Sequence, residues 1–529
     1  MRPDAARNAA FLPLVATLIL LTSCAETTPN VIDLSVEVSG LTLYGGAGQG
    51  ALGLTVAAGD VNGDGVDDLL IAAPTADVES RIAAGTFYIV FGGSDLDSTD
   101  SIDLTREADV TVFGAAQGDH LGRALAIGDV NGDGIQDILA GAWLADAGGR
   151  FDAGEAYVFY GRSEWPAEID LDVDAADVTI KCDQISDQCA HAVVVADVNA
   201  DEIGDIIIGV WLDDGPAGLD TGSTYIIYGH SALPTVIDLS LVPPDVTIYG
   251  EQAGERNGYQ TETADLNGDA IADLILGVWS TDALRENSTG SVYVVYGSPV
   301  LPAIIDLSIY PSDLTIRGRD YDDEAGRAIT AADVTGDTII DLIVAANHGD
   351  GPGEAVSCGP TQAGELCASG EIYVFYGGTS WPSEIDLSDT SADTTIYAVA
   401  KSDQLGRTVE TGDFNGDGIH DLIVGAWAAD PDGRMDAGSV VVFYGGSQLD
   451  ETILLGEYEA DLAIYGRDVG DRLGRGLATG DLNGDGADDI IVGAHLGDGP
   501  RPIAACTAQN PTHDQCDAGE AYVIFGDPG

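Results

Sequence analysis

An all-β fold, a seven-bladed β-propeller of four-stranded blades closed by an N-terminal strand that completes the last blade, is what this sequence predicts, and three observations predict it. A nine-residue pattern, DxNxDGxxD or a close variant, starts at Asp60, Asp129, Asp197, Asp265, Asp333, Asp413 and Asp481, with starts 69, 68, 68, 68, 80 and 68 residues apart. Unrelated loops have no reason to keep a common phase, so one structural unit is repeated along the chain. Each copy is followed by a short apolar run such as Asp421-Leu422-Ile423-Val424 and then by an aromatic, β-branched run, both bounded by glycine, as buried strands are. Glycine makes up 70 of the 529 residues, about twice the usual ~7% share, which suits many tight turns.

The elements follow in order. Residues 1–23 resemble an export signal, because Arg2 and Arg7 precede an apolar run from Phe11 to Leu21 that is too short to span a bilayer. Leu21-Thr22-Ser23-Cys24 resembles the lipobox of bacterial lipoprotein precursors. That resemblance implies lipidation of Cys24 and, with Ala25 and Glu26 following, an exported protein held at the outer membrane or cell surface; an ordinary secretory signal is the alternative. Residues 24–30 are expected to be a short tether, 31–526 the propeller and 527–529 a tail.

Within a repeat, strand A precedes the loop (124–129), B follows it (138–142), C is aromatic and β-branched (156–160), and D is a segment such as Val246-Thr247-Ile248-Tyr249. D-type segments start at Leu41, Val110, Val178, Val246, Leu314, Thr394 and Leu462. The first lies before any strand A, and the last set of A, B and C ends at Phe525 with no D. The segment from Leu41 to Tyr44 therefore completes the last blade, joining the chain ends and removing an open sheet edge.

The loops themselves point to a hard cation. Ca²⁺ takes six to eight oxygens, and side chains at positions 1, 3, 5 and 9 of a tight loop, with the carbonyl of position 7, converge on one point. The expected ligands are Asp60, Asn62, Asp64, Val66 and Asp68; Asp129, Asn131, Asp133, Ile135 and Asp137; Asp197, Asn199, Asp201, Ile203 and Asp205; Asp265, Asn267, Asp269, Ile271 and Asp273; Asp333, Thr335, Asp337, Ile339 and Asp341; Asp413, Asn415, Asp417, Ile419 and Asp421; Asp481, Asn483, Asp485, Ala487 and Asp489. Up to seven Ca²⁺ are expected, four in well-formed loops. The third, fourth and fifth are weaker, since Glu202, Ala270 and Thr338 replace the turn glycine and Thr335 replaces the amide. An EF-hand is excluded, because position 12, which must supply a bidentate Glu, is Ile71, Ala140, Ile208, Leu276, Val344, Val424 or Val492.

Strand, DxNxDGxxD loop, strand ending in Gly-Ala, and strand ending in Tyr/Phe-Gly together resemble the FG-GAP repeat of the integrin α-subunit N-terminal propeller. The resemblance covers residues 31–526 and implies a calcium-binding adhesion or interaction module with an extracellular protein or glycan ligand. With no room for an inserted adhesion domain, leg domains or a transmembrane tail, integrin signalling is not implied. A structural surface protein without a discrete ligand is the runner-up.

Strand direction puts the A-to-B loops on one face and the B-to-C and D-to-A connections on the other. The cysteines Cys182 and Cys189, Cys358 and Cys367, and Cys506 and Cys516 fall on the second face, and short separations with export favour these three disulfides among the fifteen connectivities. Trp143, Trp211, Trp279 and Trp427 end strand B there, a possible ligand face, although wedging between blades is the favoured role. Asp77, Asp146, Asp214, Asp282, Asp350, Asp430 and Asp498 recur three residues beyond strand B as expected turn caps. Arg123, Arg327, Arg407 and Arg475 recur at the start of strand A, nearest the channel; pairing with aspartates is favoured over an entry for an anionic group such as a uronic acid.

Twenty basic against 89 acidic residues, a formal charge of -69, exclude a nucleic-acid partner and leave a lipid as the only expected membrane contact. The seven histidines show no metal-ligand or triad spacing and no catalytic site is assigned, so the chain is expected not to be an enzyme, although some polysaccharide lyases and a phospholipase D resemble the family in propeller repeats.

Overall fold

The computed structural model describes residues 30–36, 40–45, 50–280, 288–351, 368–498 and 518–528, apart from 379, 399, 401, 447 and 457–459. The export signal, Cys24, Asp282 and the pairs Cys358/Cys367 and Cys506/Cys516 lie outside these residues.

Seven separate sheets form the seven blades. Strand A is Thr55–Gly59, Leu121–Gly128, Cys189–Ala196, Gln260–Ala264, Ala328–Ala332, Leu405–Gly412 or Leu473–Gly480 in blades one to seven. Strand B, of which Asp68–Ala73 and Asp421–Ala426 are examples, is buried at all six positions in every blade. It does not alternate apolar and polar residues because adjacent sheets cover both of its faces. Leu70, Phe87 and Ile89 of the first blade, for example, share a core with Ile138, Tyr157 and Phe159 of the second, where the rings of Phe87 and Phe159 meet edge to face at 5.7 Å.

The ring closes as expected. Strand Leu41–Tyr44 pairs antiparallel with Glu520–Ile524, with Leu41 opposite Val523 and Tyr44 opposite Glu520. Leu41, Leu43, Ile491 and Val523 then pack against Leu69, Ile71 and Tyr88 of the first blade. The disulfide Cys182–Cys189 also forms, joining the end of strand D to the start of the next strand A across a Cα separation of 6.2 Å.

Each blade holds the four expected strands A to D, and its sheet carries a fifth, outer strand besides. The outermost are Ser101–Asp103, Glu168–Asp170, Val236–Asp238, Ile304–Asp306, Glu384–Asp386, Thr452–Leu454 and, from the N-terminus, Asn30–Asp33. Each lies before strand D of its own repeat but pairs parallel with strand D of the preceding blade. The signal was an Ile-Asp-Leu triplet, as at 102–104 and 305–307. Its leucine is buried, and its aspartate accepts a backbone N–H two residues on, as Asp103 does from Thr105 at 3.2 Å and Asp306 from Ser308 at 3.0 Å. Three residues are too few for alternation or β propensity to declare a strand.

Leu43 is fully buried in the closing strand. Leu43→Ala is expected to destabilise the protein by about 2–5 kcal/mol in denaturant unfolding; a loss below about 1 kcal/mol would show that this strand does not close the ring.

Candidate functional site

Two features of the fold concentrate chemistry: the A-to-B loops on one face and the channel mouth on the other. In the loops, the first aspartate accepts the backbone N–H of position 6 in all seven copies, from Gly65 at 2.8 Å to Asp60 through Gly486 at 2.9 Å to Asp481. Position 5 accepts the N–H of position 7, as Asp64 does from Val66 at 3.0 Å. The aspartate of position 9 turns inward and is buried throughout. Asp68 receives N–H groups from Val61, Asn62 and Gly92 and from the Asn62 amide, at 2.9–3.1 Å.

Positions 1, 3, 5 and 9 and the carbonyl of position 7, which are Asp60, Asn62, Asp64, Asp68 and Val66 in the first loop, are the groups that could hold a cation. That all-oxygen set suits Ca²⁺. Burial, with Asp64 and Asp60 nearby, pushes the Asp68 carboxyl up to about 7, and Asp137, Asp205 and Asp489 are raised to the same level. No loop carboxylate forms an ion pair with Arg or Lys among the described residues. The negative charge is thus crowded and uncompensated by side chains, which a bound cation relieves. No loop brings three carboxylates within 4.8 Å of one another; the one such trio of possible ligands among the described residues is Asp322, Glu324 and His348.

The three degenerate loops keep the geometry of the others at a conformational cost. Glu202, Ala270 and Thr338 hold φ of 68°, 68° and 70° where Gly65 and Gly134 have 90° and 89°. A Cβ on Gly65, Gly134, Gly418 or Gly486 would meet nothing within 4 Å, so glycine serves there for its dihedral freedom and not for space.

On the opposite face, equivalent positions of the A strands present Leu54, Arg123, His191, Tyr259, Arg327, Arg407 and Arg475. The strands that carry Arg123, His191, Arg407 and Arg475 have an irregular register at these residues, a bulge that re-aims the side chain. The last six side chains line a channel cavity of about 210 Å³. Arg123 Nη2 lies 2.8 Å from His191 Nε2, the His191 and Tyr259 rings are 4.4 Å apart, and the Arg327 guanidinium lies 4.6 Å from the Tyr259 ring.

The favoured pairing of these arginines with aspartates is not found. Arg327 reaches only Glu324, at 3.9 Å, and Arg123, Arg407 and Arg475 form no ion pair among the described residues. The aspartates that recur in each repeat lie in the A-to-B loops and the turns after strand B, and none lines the cavity. Burial and the neighbouring arginines lower Arg407 to about 10 and Arg475 well below its ordinary value. Burial alone would raise the Tyr259 phenol, but the four arginines bring it to about 8. Burial, with Arg123 beside it, depresses His191 far enough to keep it neutral. Three residues along the same strands, Glu262 and Glu410 also line the cavity, raised by burial to about 7 and about 8.

The tryptophans pack against rings of the neighbouring blade, Trp279 buried and Trp143, Trp211 and Trp427 half-buried. Trp143 and Trp211 flank His191 at 5.4 and 5.3 Å, and Trp211 and Trp279 flank Tyr259 at 5.7 Å each, an aromatic arc over blades two to four. Trp427 stands apart, stacked on His495 at 6.1 Å. Four of the capping aspartates, Asp77, Asp146, Asp214 and Asp430, each accept the N–H six residues on, at 2.8–3.0 Å, and Asp350 accepts that of Ala368 at 3.2 Å. His191 and Tyr259 were missed as site residues, although they share the arginines' phase in the repeat.

A family model described as the FG-GAP repeat matches residues 52–90, 121–159, 405–443 and 473–524, the four blades with full-consensus loops. Phosphatidylinositol-glycan-specific phospholipase D of Dictyostelium discoideum is 29% identical over 47% of this chain and 28% of its own length. Integrin alpha pat-2 of Caenorhabditis briggsae is 31% identical over 36% of this chain and 15% of its own length. Among solved structures, the exotype rhamnogalacturonan lyase YesX aligns with 89% of this chain and 72% of its own at 11% identity and a TM-score of 0.38, too low to carry an argument. The chain thus spans about a quarter of the phospholipases it matches and less of the integrins. The expectation that the chain is not an enzyme is corrected by these relatives, whose name is that of an enzyme, because a propeller shared with them carries no exclusion of chemistry.

Thr338→Gly is expected to stabilise the protein by about 1 kcal/mol by relieving a β-branched residue in the left-handed region, measured by denaturant unfolding. Glu410, raised above its unfolded value, contributes stability that is present below the ordinary carboxylate pKa and lost as pH rises through about 8. Glu410→Gln is therefore expected to raise the melting temperature at pH 9 and to leave it unchanged at pH 5.

Proposed function

We propose that this chain, which carries FG-GAP repeats, is an exported, calcium-stabilised interaction module that engages a protein or glycan partner through the face opposite the loops. The observation that carries this reading is a break in symmetry. The loops have one geometry seven times over, whereas one equivalent position at the channel mouth holds leucine, histidine, tyrosine and four arginines. A ring of like blades has no structural need for that variety, and unlike polar groups converging on a cavity are the usual mark of a recognition site. The similarity to integrin alpha subunits over the propeller supports adhesion as the form the interaction takes.

Calcium enters this reading as a structural ion held by the A-to-B loops, up to seven in number. Among the described residues no helix is long and apolar enough to cross a membrane. The lipobox-like Leu21-Thr22-Ser23-Cys24 supports a lipid anchor at the outer membrane or cell surface. Strand direction brings the chain in at the loop face, and residues 24–30 reach at most about 25 Å at ~3.5 Å per residue. The loop face is therefore turned toward the membrane and the channel mouth outward.

Extracellular Ca²⁺ sites bind at about 0.1–1 mM, and one site at tenfold its dissociation constant adds roughly 1.4 kcal/mol. The melting temperature of the full chain is expected to fall when chelator replaces millimolar Ca²⁺, and its retention on an array of glycans and matrix proteins to fall with it. An unchanged melting temperature would overturn the calcium assignment, and no retention in Ca²⁺ would overturn the interaction reading.

A further inference from the structure

The channel mouth is more specific than a generic recognition face. Four of the chain's 20 basic residues meet in one cavity of about 210 Å³, in a molecule with 89 acidic residues. Arg123, Arg407 and Arg475 have no carboxylate partner among the described residues, and Arg327, half-buried, meets Glu324 only at 3.9 Å through its Nε. His191, 6% exposed, leaves Nδ1 without a partner in the same wall. Buried polar groups are ordinarily satisfied, and guanidinium forks match the two oxygens of a carboxylate, so the arrangement is incomplete without an anion.

The walls define what carries that anion. The His191 and Tyr259 rings, 4.4 Å apart and backed by Trp143, Trp211 and Trp279, present an aromatic surface against which the C–H face of a sugar ring can pack. The cavity is smaller than the ~300–1,000 Å³ of drug-sized pockets, which limits it to one ring. Glu262 and Glu410, at the inner end, are raised by burial to about 7 and about 8, so each keeps a protonated fraction at neutral pH that can donate to ring hydroxyls.

We propose that the channel mouth binds a single carboxylate carried on a sugar-sized ring, of which a uronate is the simplest form. This names the ligand class for the face assigned above and rests on that assignment, though not on calcium. A flexible aspartyl or glutamyl side chain would satisfy the arginines but leave the aromatic wall unused.

The test is isothermal titration of the full chain, in millimolar Ca²⁺, with galacturonate, its neutral counterpart galactose, and glutamate. Galacturonate is expected to bind saturably and at least tenfold more tightly than either of the others. The double variant R407Q/R475Q is expected to lose at least tenfold in galacturonate affinity with an unchanged or higher ligand-free melting temperature, since like-charge repulsion is removed; R123Q, outside that pair, gives a second reading of the same loss. Equal affinity for galactose would show that charge is not read. Equal affinity for glutamate would move the pocket to acidic peptides, and no binding together with a lower melting temperature in the variants would make the arginines structural; each result overturns the proposal. Retention of a matrix protein without galacturonate binding would overturn this inference alone and leave the interaction reading standing.

Discussion

Every blade depends on one buried aspartate at the start of strand B. It fastens its own loop by accepting the N–H of position 2, as Asp68 does from Val61 at 3.0 Å, and it fastens strand C by accepting the N–H of the glycine that ends it. The contacts from Gly92, Gly161, Gly229, Gly297, Gly377, Gly445 and Gly526 are 2.8–3.0 Å in every blade. The same contact explains the aromatic-glycine ending of strand C. A Cβ on Gly92 would lie 2.1 Å from the Asp67 carbonyl oxygen, and one on Gly161 2.3 Å from that of Gln136, so only glycine permits the approach. Burying an acid in each blade is stabilising only because these donors satisfy it.

Packing between blades obeys a parallel constraint. A Cβ on Gly141, Gly209, Gly277, Gly425 or Gly493 of strand B would lie within 2.4 Å of a backbone oxygen in strand A of the next blade or two residues before it. Where strand B carries alanine instead, at Ala72 and Ala345, glycine at 122 and 406 faces its methyl group. The side chains of the A strands are left to face the channel, which is how residues 68 or so apart in sequence come to share one cavity.

Much of this was legible from residue order alone. The loops, the strands A to D, the closing segment at Leu41 and the Cys182–Cys189 bridge each had a strong local signal or an arithmetic one. What escaped was set by neighbours in space. The fifth strand is defined by pairing with another repeat, and three residues such as Ser101–Asp103 carry no periodicity. The partners of the arginines were misjudged because abundance of aspartate says nothing of its placement: the repeat puts none of its recurring aspartates at the cavity. His191 and Tyr259 were invisible as site residues until the arginines' phase was followed through every blade. The exclusion of enzymatic chemistry failed for a different reason, since the spacing of histidines in sequence does not limit what a shared scaffold can host.

The outer strands also set an order of events. The chain's first two strands belong to different blades: Asn30–Asp33 pairs with Leu462–Tyr465 in the sixth and Leu41–Tyr44 with Glu520–Ile524 in the seventh. These are the most distant pairings in sequence, and the loop entropy of bringing such ends together must be met before either is formed. A nascent chain can assemble its middle blades as they emerge, and Leu41–Tyr44 can meet Ser101–Asp103 early, but its antiparallel pairing waits for Glu520–Ile524. Completion of the ring is therefore a report that the seventh blade has been delivered, and a product lacking that blade would leave Leu41–Tyr44 without its antiparallel neighbour.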